Sequence, residues 1–233
     1  MSGIARKLMG VRKSEPSSVT LDSTTFDTNT DLTFPFNYGN SHPAGSFIVV
    51  VVTARENSIF ISGSWQSLVD SEGNTFTLAT QGAQSNGLTF SAIYFCVLAN
   101  AVDSATTLTA TATGPSSLSS DGRHAAVFNL SGVSDAENTV NTPTEGAPVT
   151  QSTTTVSGKG IAFHVVSTGI LNTPPSVVSV SSGFTSQVES LNSGCSQYIA
   201  TSVLNQAPSS SVSNSLELST TSGRYANMMA IFE

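Results

Sequence analysis

Short runs in which apolar and polar residues alternate recur from residue 17 to the end of the chain. In residues 106–113, small apolar residues alternate with threonine, as in a strand with one buried and one solvated face. Turn residues such as Asp121-Gly122 and Ser222-Gly223 separate the runs. The pattern predicts strands at 17–22, 31–36, 46–54, 58–62, 74–80, 88–99, 105–113, 123–131, 149–156, 159–168, 176–180, 184–190, 195–205, 212–220 and 224–232.

The composition supports a β fold. The 233 residues include 40 serines and 29 threonines, whereas charged residues make up only 10%. Charged helix-forming residues are too scarce for a helical bundle, and 38% hydrophobic residues are too many for a disordered chain. An all-β, antiparallel sandwich is therefore expected.

An internal repeat is the most informative feature. Four segments match four later segments in the same order, at offsets of 114, 119, 105 and 101 residues. The matched pairs are 47–54 with 161–168, 62–71 with 181–190, 97–101 with 202–206, and 123–128 with 224–229. The repeat predicts two copies of one unit, at about 46–133 and 159–233, the second lacking most of the 72–90 hairpin.

Two such copies could form separate domains or contribute to one shared sandwich. The shared sandwich is favoured, because the link at 132–148 is short and each copy alone would have a small core. We therefore expect a jelly-roll-like β-sandwich over residues 17–233, preceded by a basic N-terminal arm at 1–16.

The arm is the candidate binding element. Residues 2–13 have a helical pattern, and the first thirteen residues hold four of the eight basic residues and no acidic one. A cationic segment with an apolar stripe is typical of a docking element for another protein surface, whereas three aliphatic side chains bury little area in a membrane surface. The predicted binding residues are Ile4, Arg6, Lys7, Leu8, Val11, Arg12 and Lys13.

The charge of the remaining chain limits its partners. The other 220 residues carry four basic and fifteen acidic groups, a formal net charge of −11. A body so acidic does not attract nucleic acid. The uninterrupted apolar run at residues 47–52 is too short to span a membrane, and Arg6 and Lys7 interrupt any signal-peptide core. A cytosolic folding compartment is expected, and whether Cys96 and Cys195 pair is left open.

Candidate sites within the body favour structural roles. Trp65 and Phe184 could stack on sugars, but matched aromatic positions in both repeats are more typical of core packing. Residues 70–74 begin like a Ca²⁺ loop, yet Gln81 stands where a bidentate Glu is required, so a hairpin turn is favoured. The three histidines show no metal-ligand spacing, and no nucleophile elbow or phosphate loop occurs. We therefore expect no catalytic residues, no metal and no cofactor.

Arg123 and Arg224 begin the last matched segments of the two repeats. Each is expected to close a sheet corner by pairing with an acid or a carbonyl.

The turn Asp70-Ser-Glu-Gly73-Asn74-Thr-Phe76-Thr, followed by an aromatic strand at 93–100, a Thr-rich strand at 107–113 and a strand running into Ser-Gly at 125–132, resembles a β-sandwich family. That family occurs in virion proteins of tailed bacteriophages and in some bacterial surface proteins, with a D-x-x-G-N-x-[YF]-x turn as its signature. The opening residues 1–10 are also similar to the start of small phage structural proteins. The resemblance covers about residues 46–133 and implies a fold without catalytic residues.

The expected function is that of a non-enzymatic virion component, a capsid decoration or accessory subunit docked by its arm. The alternative is a tail-associated module that binds a receptor or a carbohydrate. Expected partners are capsid or tail subunits, and the expected location is the virion, assembled in the host cytoplasm. A glycan hydrolase would require a paired-carboxylate cleft, and homo-oligomerisation is left open.

Overall fold

The structure, a computed structural model, describes residues 15–56, 63–85, 88–113, 118–155, 157–169, 173–192, 194–220 and 223–233. Within these ranges all regular secondary structure is β-strand, and paired strands run antiparallel. The predicted antiparallel all-β fold is confirmed. The strands divide into two halves that have the same topology.

The first half contains eight strands, which form a large and a small sheet. They are β1 (Ser18–Asp27), β2 (Thr33–Asn37), β3 (Phe47–Glu56), β4 (Ser64–Asp70), β5 (Thr77–Ala83), β6 (Thr89–Val97), β7 (Thr107–Thr113) and β8 (Leu118–Ser131). The large sheet has the order β1-β8-β3-β6-β5, and the small sheet has the order β2-β7-β4. Side chains from both sheets, including Phe34, Val50, Trp65 and Leu108, form one buried cluster between them.

The second half repeats this arrangement with nine strands. They are β9 (Ala136–Asn141), β10 (Thr144–Glu145), β11 (Val149–Thr154), β12 (Lys159–Thr168), β13 (Val177–Val180), β14 (Thr185–Ser190), β15 (Ser196–Asn205), β16 (Ser211–Leu218) and β17 (Arg224–Phe232). The large sheet runs β10-β17-β12-β15-β14, with β9 also paired to β17, and the small sheet runs β11-β16-β13. Strands β9 and β10 together take the place of β1.

A third apolar core joins the two halves. One face of each large sheet packs against its own small sheet, and the other face packs against the large sheet of the other half. The chain thus forms four layers, and both large sheets are buried on both faces. This explains why β3 is apolar throughout residues 47–52 and does not alternate.

The arrangement combines the two alternatives that the sequence left open. Each half has its own pair of sheets, as separate domains would, but the central core belongs to both halves.

The halves also begin earlier than the matched segments, because β1 and β2 precede residue 46 and β9 to β11 precede residue 159.

The first sequence match is correct in register. Phe47 of β3 and Ile161 of β12 both face the central core, and Ile48 and Ala162 both face the outer cores. The third match is one residue out of register: Val97 pairs with Phe47, whereas Val203 pairs with Ile161, so the offset is 106. Val97 and Val203 are correspondingly alike in exposure, at 49% and 47%.

The fourth match is also one residue out of register. Leu130 pairs with Phe47 and Phe232 pairs with Ile161, which gives an offset of 102. Arg123 and Arg224 therefore do not occupy equivalent positions. Each nevertheless makes a contact of the predicted kind, since buried Arg123 donates to Asp27 and exposed Arg224 pairs with Glu145 at 3.4 Å.

The second match joins strands that are not equivalent. Trp65 lies in β4 of a small sheet, whereas Phe184 directly precedes β14 of a large sheet. Trp65 is 1% exposed, as expected for core packing, whereas Phe184 is only half-buried, so the expected core packing is complete at Trp65 and partial at Phe184. The β5–β6 hairpin has a counterpart in β14–β15, so the predicted loss of that hairpin is also wrong.

Five phenylalanines, hereafter the phenylalanine cluster, connect the large sheets. Phe47, Phe95 and Phe128 come from the first half, and Phe163 and Phe232 come from the second. Phe163 meets Phe128 edge-to-face at 5.1 Å between ring centroids, and Phe232 lies 5.6 to 5.8 Å from Phe163, Phe47 and Phe95. Edge-to-face aromatic pairs add to the free energy of area burial.

Polar side chains replace this cluster at the far end of the interface, where β3 and β12 end. Gln197 donates to Thr53 at 2.9 Å, the hydroxyls of Ser91 and Ser167 lie 2.6 Å apart, and Gln84 donates to the carbonyl oxygen of Arg224 at 2.6 Å. We call these side chains, together with His124 and Ser190, the polar seam. Their contacts between the halves fix one alignment of the two large sheets, because a shifted alignment would leave buried polar groups unpaired.

The central core predicts a large effect of Phe163→Ala. Phe163 is fully buried and touches aromatic rings from both halves, so we expect a loss of about 3–5 kcal/mol in the free energy of unfolding by denaturant titration. Val203→Ala, at a 47% exposed position, is the control and should cost under about 0.5 kcal/mol. Equal small losses in both variants would show that the large sheets do not depend on this contact.

Candidate functional site at the base of the N-terminal arm

The seven predicted binding residues, Ile4, Arg6, Lys7, Leu8, Val11, Arg12 and Lys13, lie outside the described residues, as does the predicted helix over 2–13. The described chain begins at Glu15. The N–H of Ser17 donates to the carbonyl of Ser131 at 3.1 Å, which holds the base of the arm beside the end of β8. Gly132 packs so closely against the Glu15 carbonyl, with φ at +81°, that a Cβ has no room there.

A surface cavity of about 200 Å³ opens at this base. Residues 15–17 form one wall, and the beginning of β12 and the end of β15 form the other, so both halves contribute. Lys159 makes an ion pair with Glu15 across it, and Val203 supplies exposed apolar surface. Such a mixed lining suits a polypeptide segment with both charged and aliphatic side chains.

The four cations of the described body are already engaged. Arg123, Lys159 and Arg224 contact Asp27, Glu15 and Glu145, and Arg55 donates to the Gly194 carbonyl at 3.4 Å. Exposed acidic side chains with no cation among the described residues within ion-pair distance include Asp31, Glu72, Asp103, Asp135, Glu189 and Glu217. The surface of the body is therefore electronegative.

The D-x-x-G-N turn is a structural staple. Asp70 accepts four hydrogen bonds: Oδ1 accepts from the backbone N–H groups of Glu72 and Asn74, and Oδ2 accepts from Tyr38 and the Asn74 amide. Burial and the neighbouring Asp70 carboxylate raise the pKa of Tyr38, so its hydroxyl stays a donor. The predicted turn is present, with Val69 bridged antiparallel to Thr75 and the Asp70 N–H donating to the Asn74 carbonyl, but β4 and β5 then continue into different sheets.

Asn74 extends this staple to a second loop. Its Oδ1 accepts from the backbone N–H groups of Ala99 and Asn100, at 2.8 and 2.9 Å. The motif thus ties the β4–β5 turn to the loop after β6. Among the described residues, no group of three or more His, Cys, Asp or Glu side chains could hold a metal ion.

The histidines lie in three different environments. His42 lies 3.0 Å from Asp22 in a buried pair, and His164 is enclosed in the second half. His124 is in the polar seam, where Nε2 donates to the Cys195 carbonyl at 2.7 Å and Nδ1 accepts from Ser190 at 2.8 Å. Burial lowers the pKa of His124, which keeps the ring neutral and suited to both bonds.

The Ser190–His124 contact resembles a nucleophile and base in distance only. Both ring nitrogens are used to bridge the halves, and the nearby backbone N–H groups of Asn192 and Gly194 donate to Ser196 and Asn192. These donors are therefore not directed at an oxyanion position. The hydrogen bond between Ser190 and His124 instead connects β14 of the second half to β8 of the first.

Two buried groups could not be identified from sequence patterns. Glu56, at the end of β3, is 1% exposed, and neither of its carboxylate oxygens has a hydrogen-bond partner among the described residues; burial raises its pKa to about 7. His164 lies in an otherwise apolar run of β12. Cys96 and Cys195 are both buried and are not joined in a disulfide, which answers the open question of their pairing.

No known protein family model matches this chain, and no curated protein matches it significantly. The described residues include no helix long and apolar enough to cross a membrane.

The staple predicts a large effect of Asp70→Asn. The amide would place an NH₂ group against donors that now bind a carboxylate, so we expect a loss of about 2–4 kcal/mol in the free energy of unfolding. Glu72→Gln changes an exposed carboxylate in the same turn and should cost under about 0.5 kcal/mol. Denaturant titration compares the two; an equal, small effect would mean that the turn does not depend on Asp70.

Proposed function

We propose that this chain is a non-enzymatic structural protein of a tailed-bacteriophage virion, a capsid decoration or accessory subunit that docks through its N-terminal arm. The observation that carries the proposal is the position of the arm's base. The last residues of the arm are fixed against both halves, beside a cavity of mixed polar and apolar lining. A docked arm would therefore hold the whole four-layer body in one orientation.

Charge supports a protein partner of opposite character. The arm has four cations and no acid in its first thirteen residues, while the cations of the body are engaged and many of its acids are not. The arm should thus bind an acidic protein surface, with rim charges guiding approach and the aliphatic side chains Ile4, Leu8 and Val11 contributing most of the affinity.

The strand order supports the proposal because it is similar to that of a jelly roll, the fold expected from the sequence. Each half places its first, eighth, third and sixth strands in one sheet and its second, seventh and fourth in the other, counting β9 and β10 as one strand. This is the order of a jelly roll whose fifth strand has moved to the large sheet, and jelly rolls are frequent in viral capsid and lectin domains. The resemblance of the D-x-x-G-N turn to phage virion proteins points the same way.

The second candidate is a tail-associated receptor- or carbohydrate-binding module. It is favoured by the common orientation of the halves. The Arg55 side chain, at the end of β3, contacts Gly194, which directly precedes β15 and therefore lies near the end of β12. The loops at this end of both halves thus face away from the arm. Copy number separates the candidates, since mass spectrometry of particles should count hundreds of copies for a capsid subunit and a handful for a tail tip.

Deleting residues 1–13 tests the docking role. Unfolding stability should change by less than about 0.5 kcal/mol, because the deletion leaves Glu15 and its ion pair in place, whereas incorporation into particles should be lost. A full-length variant with Ile4, Leu8 and Val11 changed to serine keeps the charges and should also fail to incorporate. Normal copy number of the truncated protein would contradict docking by the arm.

A further inference from the structure

His164 is the centre of a fully hydrogen-bonded polar group inside the second half. Its ring is 0% exposed, Nδ1 lies 2.8 Å from the Asn214 amide nitrogen, and Nε2 lies 2.8 Å from the Asn227 amide oxygen. Nδ1 must accept from the Asn214 NH₂ group, so Nε2 carries the proton and donates to Asn227. We call these three residues the buried His–Asn triad.

Other bonds fix the orientation of both amides. The Asn227 NH₂ group donates to Thr144 at 2.8 Å and to the Thr150 carbonyl at 2.9 Å, and Asn214 Oδ1 accepts from the backbone N–H of Ser181 at 3.1 Å. Neither amide can therefore rotate to exchange donor for acceptor without losing a bond elsewhere.

The first half has apolar residues at the corresponding positions. Val50 corresponds to His164 and Ala125 to Asn227 by strand register. Ala110 corresponds to Asn214 if β7 and β16 are aligned by the similar turns that precede them. The outer core of the first half is one continuous cluster, whereas that of the second half is divided into two clusters, with the triad between them.

The triad joins the two sheets of the second half. His164 and Asn227 lie on β12 and β17 of the large sheet, while Asn214 lies on β16 of the small sheet. Asn227 also binds β11 of the small sheet through two hydrogen bonds. Its side-chain NH₂ group donates to the Thr150 carbonyl, and the Gln151 side-chain amide donates to the backbone carbonyl of Asn227.

We propose that the buried His–Asn triad is an acid-sensitive latch that holds the small sheet of the second half onto the large sheet. A second proton on the imidazole would lie on Nδ1 and face the Asn214 NH₂ group, so two donors would meet and the bond between the sheets would be lost. The imidazolium would also be enclosed by apolar side chains, without a counter-ion among the described residues of that core.

The direction of the pH effect follows from burial. Ala200 and Met229 flank His164 on the neighbouring strands, and the titratable groups in that core are Tyr198 and Tyr225, whose pKa values burial raises, so both stay neutral. No Asp, Glu, Lys or Arg among the described residues of the second half is buried. Arg224, on β17, and Glu217, on β16, are exposed at the surface.

Burial lowers the pKa of His164 from 6.5 to about 4. The latch is therefore fully stabilising above pH 6.5 and weakens as the pH falls towards 4. Glu56 in the first half has the opposite sign, because its raised pKa means that acid stabilises its folded state. Acid opening of a small sheet should accordingly be confined to the second half, because His124, whose pKa burial also lowers, contacts Cys195 and Ser190 in the polar seam and neither small sheet.

Hydrogen exchange measured by mass spectrometry at several pH values tests the latch. After correction for the intrinsic pH dependence of exchange, protection of β11 and β16 should fall roughly tenfold between pH 7.5 and 5.5, and further by pH 4.5, while β2 and β7 of the first half keep theirs. Unchanged protection of β11 and β16 in the unmodified protein would overturn the proposal.

His164→Gln is the decisive variant, because glutamine can accept from Asn214 and donate to Asn227 but does not titrate. It should fold and show no acid-dependent loss of protection. Should it fail to fold, the triple variant His164→Val, Asn214→Ala, Asn227→Ala supplies the residues of the first half and should likewise be insensitive to acid. His124→Gln leaves the triad intact and should keep the wild-type response. If β11 and β16 of His164→Gln lost as much hydrogen-exchange protection in acid as those of the wild type, the proposal would be overturned.

Discussion

The packing of one large sheet against the other is the interaction on which the rest of the structure depends. Each large sheet has two apolar faces, and its own small sheet covers only one of them. The phenylalanine cluster covers the other face. The wide apolar surface between the halves is therefore hidden from water only while both halves are folded. The polar seam then fixes the alignment, because its hydrogen bonds can all form in one arrangement of the two sheets.

The same double burial explains which parts of the fold could be predicted. Strand-like alternation identified most elements, and the match between β3 and β12 is correct in register. The matches involving β6 and β8 slipped by one residue because those strands and their counterparts are buried on both faces, so no alternation marks which residues face which core. Strand β4 was not predicted, since Ser64–Asp70 contains one β-branched residue, and β9 and β10 are short and polar.

Features that depend on residues far apart in sequence could not be predicted at all. The members of the buried His–Asn triad are separated by 50 and 63 positions, and nothing in β12 alone distinguishes His164 from a histidine at an edge. The D-x-x-G-N motif was recognisable because Asp70 and Asn74 lie in one turn, and its bonds make it a determinant of the fold. The arm was identified by its local charge, and its seven predicted binding residues lie outside the described part of the chain.

The dependence of each half on the other is tested most directly by whether the two halves unfold together. Leu108→Ala creates a cavity in the outer core of the first half, on β7, away from the interface between the halves. Native-state hydrogen exchange at neutral pH should show the slowest amides of β3 and β12 opening with the same free energy, and the substitution should lower both by the same amount. Faster exchange in β3 with unchanged exchange in β12 would contradict the account, because the second half would then be stable without the first.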